Sequence, residues 1–199
     1  MMSMVLLLTG CFGTTPPARF YSLTPRESHE IALRNNPDRF LMVGPVEIPS
    51  YLDRPQIVTR TGRNEVDVAE FDCWSGKLEE EITRLLINTL SEQLAPKGIA
   101  VVSWRSTFTS LNRKMLRIPV NIHRFDGTLG ETVVLSADWG LLGIKEKEES
   151  LLVQQTTITE EAKGKGYDEL VAAMGRALVR LGKEMASRIS SVLPANTKD

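Results

Sequence analysis

The sequence holds few residues of the types that do nucleophilic or metal chemistry. Two cysteines, Cys11 and Cys73, and two histidines, His29 and His123, are scattered over 199 residues. A thiol nucleophile needs a nearby base, and no motif joins a histidine to a cysteine. Zinc-type sites use closely spaced pairs of ligands, and no such pair occurs. The sequence therefore predicts no catalytic residue, metal site or cofactor, and we interpret Cys73 as a structural residue.

Composition and missing motifs argue against several other functions. The chain has 24 Lys and Arg against 25 Asp and Glu, a net charge of -1, whereas nucleic-acid binding requires clustered, uncompensated cations. Neither a phosphate-binding G-x-x-x-x-G-K-[ST] loop nor a G-x-S-x-G nucleophile elbow is present. Catalytic groups can be distant in sequence, so a cell-envelope hydrolase stays open as an alternative to a non-enzymatic role.

The first eleven residues carry the pattern of a lipid attachment signal. Residues 4–8 are apolar, Thr9 and Gly10 are small, and Cys11 follows. This order resembles a bacterial lipobox. The resemblance implies that residues 1–10 are the remnant of a signal peptide, that the chain is cleaved after Gly10, and that Cys11 is acylated. No Lys or Arg precedes the short apolar run, so we expect the true start to lie upstream. A frayed apolar N-terminus is the alternative.

Elements that could position a site are expected only beyond this segment. Residues 11–38 are predicted to form a lipidated tether and loop because they contain paired prolines and a long polar run. The folded domain is expected over residues 39–199. Apolar alternation predicts strands over residues 40–46, 56–60, 99–104, 116–123, 131–142 and 151–159, with a half-buried strand around Val66 and Val68. Pro119 predicts an edge strand or a bulge.

Two amphipathic helices are predicted from apolar residues that recur every three or four positions. The first begins at Leu78, with Ser75 as its cap, and stops before Pro96 and Gly98. The second covers roughly residues 168–193. The order of elements predicts an α+β fold: a single mixed, largely antiparallel sheet with two long amphipathic helices packed on it.

One stretch is specific enough to indicate a family. Residues 43–60, VGPVEIPSYLDRPQIVTR, together with RFDG at residues 124–127 and LSADW at residues 135–139, resemble the signature of the ABC-type transport auxiliary lipoproteins of the Pqi (paraquat-inducible) type. Cys73 departs from the pattern, which has a charged or polar residue before the tryptophan. The resemblance covers nearly the whole mature chain.

The resemblance implies a non-catalytic lipoprotein, anchored in the outer membrane and facing the periplasm. Its expected partners are a mammalian-cell-entry (MCE) domain protein, the inner-membrane partner of that protein, and outer-membrane lipid through the acyl anchor. The absence of Asp after Cys11 resembles an outer-membrane sorting signal. A homo-oligomer around a tubular partner is compatible with this role. A periplasmic lipid-binding carrier is the alternative, and it predicts an apolar cavity between helices and sheet.

The segment between Pro49 and Pro55 is the candidate partner-binding loop. Proline at both ends restricts the backbone, and a stiff loop loses little entropy on binding. The candidate contact residues are Tyr51, Leu52, Asp53, Arg54 and Gln56. In the alternative interpretation, Leu52 and Pro55 fill the end of the sheet while Asp53 and Arg54 pair locally.

Overall fold

The computed structural model describes residues 16–23, 37, 39–106, 114–143 and 149–193. Within these ranges the chain forms eight strands and two long helices. The strands are β1 Arg19–Tyr21, β2 Arg39–Glu47, β3 Gln56–Arg60, β4 Val66–Trp74, β5 Ile99–Ser103, β6 Lys114–Gly127, β7 Thr132–Gly143 and β8 Glu149–Glu161. The helices are α1 Leu78–Leu94 and α2 Tyr167–Val192.

The strands form two sheets. The larger sheet has the order β5-β2-β6-β7-β8, in which β2 runs parallel to β5 and β6 while β6, β7 and β8 are antiparallel neighbours. The smaller sheet has the order β1-β4-β3. The α+β class with a mixed sheet and two helices is confirmed. The expectation of a single sheet is wrong, because β4 pairs with β1 and β3 instead of joining the larger sheet.

Both helices pack on one face of the larger sheet. Their apolar stripes are buried as the spacing predicted, and so are alternate residues of β6 and β7. The residues that meet there include Leu86, Leu90, Ile118, Ile122, Leu135, Trp139, Leu141, Met174, Leu178 and Leu181. The described side chains therefore fill the interface in which the lipid-carrier hypothesis placed its cavity.

The ends of α1 differ in how well they were predicted. The helix begins at Leu78 as expected, but its cap position is Lys77 and no side chain caps it, so the assignment of Ser75 is wrong. Ser75 instead donates its backbone N–H to the carbonyl of Tyr21 at 2.8 Å. At the other end a short 3-10 turn, Ala95–Lys97, leads to Gly98, whose φ of 75° is a left-handed conformation that favours glycine.

Pro119 lies beside a bulge in the interior of the larger sheet. Strand β6 is flanked by β2 and β7, so the expectation of an edge strand is wrong, whereas a bulge is confirmed. The register moves from Val43 opposite Ile118 to Val46 opposite Val120, which leaves an extra residue of β2 beside Pro119. The bulge suits proline because its missing N–H faces a gap in the ladder.

Two further expectations about the smaller sheet need correction. Arg19–Tyr21 forms β1 inside the predicted tether, so the folded part begins well before residue 39. Val66 and Val68 were expected to be half-buried, but they are 39% and 38% exposed. In β4 the inward side is taken by Ala69, Asp72 and Trp74. These positions do not alternate strictly because the pairing with β3 shifts register between Gln56 and Val58.

Candidate functional site

The predicted partner-binding loop is a tight turn between β2 and β3. Ser50–Leu52 forms a single 3-10 turn, in which the N–H of Leu52 donates to the carbonyl of Pro49 at 2.9 Å. Pro49 has a φ of -59°, which its ring imposes. We call residues 49–55 the signature turn. Its backbone forms hydrogen bonds within the turn, and Asp53 donates its N–H to the carbonyl of Ser50 at 3.2 Å.

A buried carboxylate, that of Asp126, holds the signature turn from the protein interior. Asp126, at the end of β6, is 0% exposed and accepts a hydrogen bond from the Tyr51 hydroxyl at 2.8 Å. Arg60 donates to it through Nε at 3.1 Å and Nη2 at 2.9 Å. Arg124 donates through Nε at 2.8 Å. These four residues form the Asp126 cluster, in which two guanidinium groups and a phenol satisfy one carboxylate.

The electrostatics of the Asp126 cluster favour the charged carboxylate and the neutral phenol. Burial by itself raises the pKa of Asp126, but the hydrogen bonds from Arg60, Arg124 and Tyr51 outweigh it and lower the pKa below its ordinary value. Burial and the hydrogen bond to Asp126 raise the pKa of Tyr51 to about 12. The same carboxylate raises the pKa of Arg60. The cluster therefore keeps a fixed charge state at neutral pH.

The structure divides the five predicted contact residues into two groups. Tyr51 points to Asp126, and Leu52 is buried in the core, so neither presents its side chain to a partner. Asp53 and Arg54 are exposed at the tip of the signature turn, and Gln56 is half-buried in β3. A contact surface at the turn would consist of Asp53 and Arg54, with Gln56 at its margin.

A second cluster fixes residues 19–23, and no sequence motif indicated it. We call residues 19–23 the N-terminal strap. Its strand β1 pairs in parallel with β4, and the Tyr21 hydroxyl donates to Asp72 Oδ1 at 2.7 Å. Arg19 lies 2.7 Å from the same oxygen. Burial, followed by the hydrogen bond to Asp72, raises the pKa of Tyr21 to about 12.

Glu81 of α1 holds the last residues of the strap. Its Oε2 accepts from the Ser22 hydroxyl at 2.7 Å and from the backbone N–H of Leu23 at 3.2 Å, and its Oε1 pairs with Arg84. Burial raises the pKa of Glu81, but the hydrogen bonds from Arg84, Ser22 and Leu23 lower it below its ordinary value. The side chain of Leu23 is buried in the core. The strap is therefore part of the folded body.

The anchors of the strap are hard to recognise from sequence. Glu81 follows Glu79 and Glu80 in an acidic run of the kind that usually faces solvent, but it lies beside the apolar stripe of α1, one residue before Ile82, and is buried. Three residues of β1 are too few to show alternation. The partners of Tyr21 and Ser22 lie 51 and 59 residues away, so no local pattern could reveal them.

The two described residues that were considered for enzymatic chemistry, Cys73 and His123, lie in different sheets. Cys73 is partly buried in β4 of the smaller sheet. His123 lies in β6 of the larger sheet, with its Nε2 2.7 Å from Asp138 Oδ2. Cys73 and His123 therefore stand in different sheets, and His29 lies outside the described residues. Nowhere in the described ranges do three or more His, Cys, Asp and Glu residues group as metal ligands.

The predicted lipidation site, Cys11, also lies outside the described residues. The structure begins to describe the chain at Pro16, three residues before the strap. Neither α1 nor α2, nor any other helix in the described part, has the length and apolar character to cross a membrane.

Comparison with known proteins gives relatives over most of this structure. A profile of the ABC-type transport auxiliary lipoprotein component family matches residues 21–186. The chain is 25% identical over 170 residues to the intermembrane transport lipoprotein PqiC of Escherichia coli K12, covering 85% of this chain and 84% of that protein. The Shigella flexneri protein of the same name matches with the same identity and coverage.

Solved structures share the fold. The crystal structure of an uncharacterized protein superposes with a TM-score of 0.69 at 23% identity, covering 88% of this chain and all of that one. Protein XCC0632 from Xanthomonas campestris gives a TM-score of 0.64 at 16% identity, covering 88% and 96% of the two chains. The family profile begins at Tyr21 in the strap and ends within α2. The chain therefore belongs to the ABC-type transport auxiliary lipoprotein component family.

Proposed function

We propose that this protein is a non-catalytic docking component of a lipid transport system built on MCE-domain proteins. It is anchored by lipid in the outer membrane and faces the periplasm. Membership of a transport auxiliary lipoprotein family supports the role, as does the similarity to proteins named intermembrane transport lipoproteins. In this proposal the fold holds a surface at a fixed place near the membrane, and a ring of copies around a tubular partner is compatible with it.

The anchor in this proposal is an acyl group on Cys11. The strap begins at Arg19, eight residues later. A fully extended chain of that length reaches about 28 Å. Because the strap is tied to Asp72 and Glu81, the body would stay within that distance of the membrane surface. The proposed tether thus consists of residues 12–18, and it is shorter than the 11–38 segment expected from sequence.

The docking surface in this proposal is the exposed tip of the signature turn. The observation that carries it is the fixation of the turn from inside, where the Tyr51 hydroxyl is bound to the buried Asp126. A turn held in this way presents Asp53 and Arg54 in one conformation, so little entropy is lost when a partner binds. Arginine is enriched among residues that dominate binding energy.

Fractionation of cells tests the anchor. Replacement of Cys11 by Ala should move the protein from the membrane to the soluble periplasmic fraction, because each buried methylene of an acyl chain contributes about 0.8 kcal/mol to membrane binding. Cys73→Ala is the matched control and should leave the protein in the membrane. Unchanged membrane association of the Cys11 variant would contradict the proposal.

Capture of the MCE-domain partner tests the turn. Arg54→Glu should weaken capture at least tenfold without changing the unfolding midpoint, since the side chain is exposed. Arg63→Glu alters another exposed arginine, in the turn after β3, and should capture normally. Equal capture by the two variants would contradict the docking role of the signature turn, but it would not contradict the lipid anchor on Cys11.

A further inference from the structure

A groove of about 690 Å³ runs along the side of α2 that faces away from the sheet. The N-terminal strap forms one wall and Glu160 of β8 forms part of the other. Its floor is apolar and comes from three elements, with Leu23 from the strap, Leu85 from α1, and Val171 and Val179 from α2. The volume is within the range of about 300–1,000 Å³ that is common for small-molecule sites.

Small residues keep the groove open. Ala172 and Gly175 stand on the outward side of α2, where longer side chains would occupy the space. A Cβ atom on Gly175 would lie 3.5 Å from the carbonyl oxygen of Leu23, an ordinary contact. Close packing therefore does not require glycine there, and the two small residues leave an apolar channel beside the strap.

The two ends of the groove differ in charge. Arg180 and Lys183 line one end, Asp168 lies at the other, and Arg176 lies about midway along α2. Glu160 pairs with Arg176 at 3.3 Å and with Arg180 at 2.7 Å. Arg180 also donates to the carbonyl of Thr159 at 3.2 Å, so its guanidinium group is held in place. With Arg180 and Lys183 at this end, and Arg176 one helical turn away, against the single carboxylate of Glu160, this end carries a net positive charge and complements an anion.

The length of the groove suits one hydrocarbon chain. Asp168 and Lys183 are fifteen residues apart on α2, which corresponds to about 22 Å at the rise of an α-helix. One acyl chain fills about half of the roughly 30 Å hydrocarbon core of a bilayer. The groove can therefore hold a chain of that length and still leave room for a head group at the basic end.

We propose that this groove binds a single-chain anionic amphiphile, with its head group at Arg180 and Lys183 and its chain along Ala172 and Gly175. The ligand class follows from the apolar floor and the excess of cations at one end. The site is independent of the docking role, since it shares no residue with the signature turn.

Titration with a fluorescently labelled palmitate tests the site. The full-length chain carries Cys11→Ala, so that no acyl group attached to the protein competes. We expect one palmitate bound per chain, displaced by unlabelled palmitate below its micellar concentration. Ala172→Phe and Gly175→Leu should each weaken binding at least tenfold by filling the channel. Ser187→Leu adds an apolar side chain elsewhere on the exposed part of α2 and should bind normally.

Charge reversal tests the orientation of the ligand. Lys183→Glu should weaken palmitate binding several-fold and favour hexadecyltrimethylammonium, whereas Arg188→Glu, at an exposed position beyond the groove, should change neither. Absence of palmitate binding would overturn the proposal, as would equal binding by Ala172→Phe and Ser187→Leu. A third result would also overturn the proposal. The protein could bind phosphatidylglycerol vesicles equally well with and without Ala172→Phe, and fail to bind free palmitate, which would indicate adhesion to the membrane surface.

Discussion

The hydroxyl of Tyr51 donates a hydrogen bond of 2.8 Å to Oδ2 of Asp126, across 75 residues of chain. One residue belongs to the YLDRPQIVTR stretch and the other to the RFDG stretch. Arg60 and Arg124, one from each stretch, bind the same carboxylate. The two separate sequence motifs therefore meet in one ionic cluster around the buried Asp126, which fixes the signature turn against the end of β6.

Removal of the Asp126 charge should be strongly destabilising. In Asp126→Asn, the side chain loses its ion pairs with Arg60 and Arg124, and the guanidinium groups lose their anion. We expect the free energy of unfolding to fall by about 3 kcal/mol, the range found when one partner of a buried pair is removed. Urea-induced unfolding measures this loss of free energy, and Asp53→Asn, at the exposed tip of the turn, is the control. A loss no larger than in the control would contradict the role of the cluster.

Stability should decline in acid because two buried carboxylates are stabilised in their charged form. The pKa values of Asp126 and Glu81 are lowered in the folded state. Their contribution is present above the unfolded values, near pH 4, and is lost as the pH falls through the lower folded values. Unfolding free energies measured between neutral pH and pH 2 should show this decline, and Asp126→Asn should show a shallower one. If the unfolding free energy fell equally steeply with pH in both proteins, Asp126 would not be a source of the acid sensitivity.

Alkaline titration should detect the hydroxyls of Tyr21 and Tyr51, which donate hydrogen bonds to Asp72 and Asp126. The pKa values of Tyr21 and Tyr51 are raised to about 12, so both groups stabilise the fold below pH 10 and this contribution is lost as the pH rises towards 12. Ultraviolet difference spectroscopy should show phenolate forming at higher pH in the native chain than in urea, where tyrosine titrates near 10. Tyr51→Phe should remove one of the late-titrating groups. Ionisation of all tyrosines near pH 10 in the folded chain would contradict both contacts.

The strap should open before the body when its anchor is weakened. Glu81→Gln removes the charge that Ser22, Leu23 and Arg84 share. We expect a loss of about 2 kcal/mol, because hydrogen bonds to a charged group contribute about 1.5–3 kcal/mol each. Limited proteolysis should then cut near the strap at lower denaturant concentration than in Glu80→Gln, whose side chain is 57% exposed. Identical cleavage of the two variants would show that Glu81 does not hold the strap.

Gly44 should tolerate no side chain. Its φ of 117° is strained for any other residue, and a Cβ atom there would lie 2.0 Å from Cδ1 of Trp104. We expect Gly44→Ala to lower the free energy of unfolding by about 2 kcal/mol or more. Gly62→Ala is the control, because the nearest atom to its Cβ would be 3.8 Å away. Equal unfolding midpoints for the two variants would contradict the packing of Trp104 on β2.

The hydrophobic pattern of the sequence was sufficient for the elements. The stripes that begin at Leu78 and Leu170 predicted both helices, and the alternation from Leu116 to Ile122 and from Val133 to Leu141 predicted the central hairpin. The missing N–H of Pro119 predicted an edge strand or a bulge, and the structure has the bulge. The YLDRPQIVTR stretch indicated the family before any fold was known. The helices, the hairpin, the bulge and the family motif each depend on residues that are close together in the chain, so they can be recognised from a single sequence.

Only the tertiary structure decided how the elements combine. Nothing near Arg19–Tyr21 reveals that it pairs with β4, which makes the strap part of the body. The pairing of β4 with β3, away from the larger sheet, likewise divides the strands into two sheets. The orientation of Tyr51 likewise depends on a carboxylate 75 residues away, so a residue of a type suited to binding became an internal support. Periodicity determines which side of an element is buried, whereas the partner that buries it is set by contacts distant in sequence.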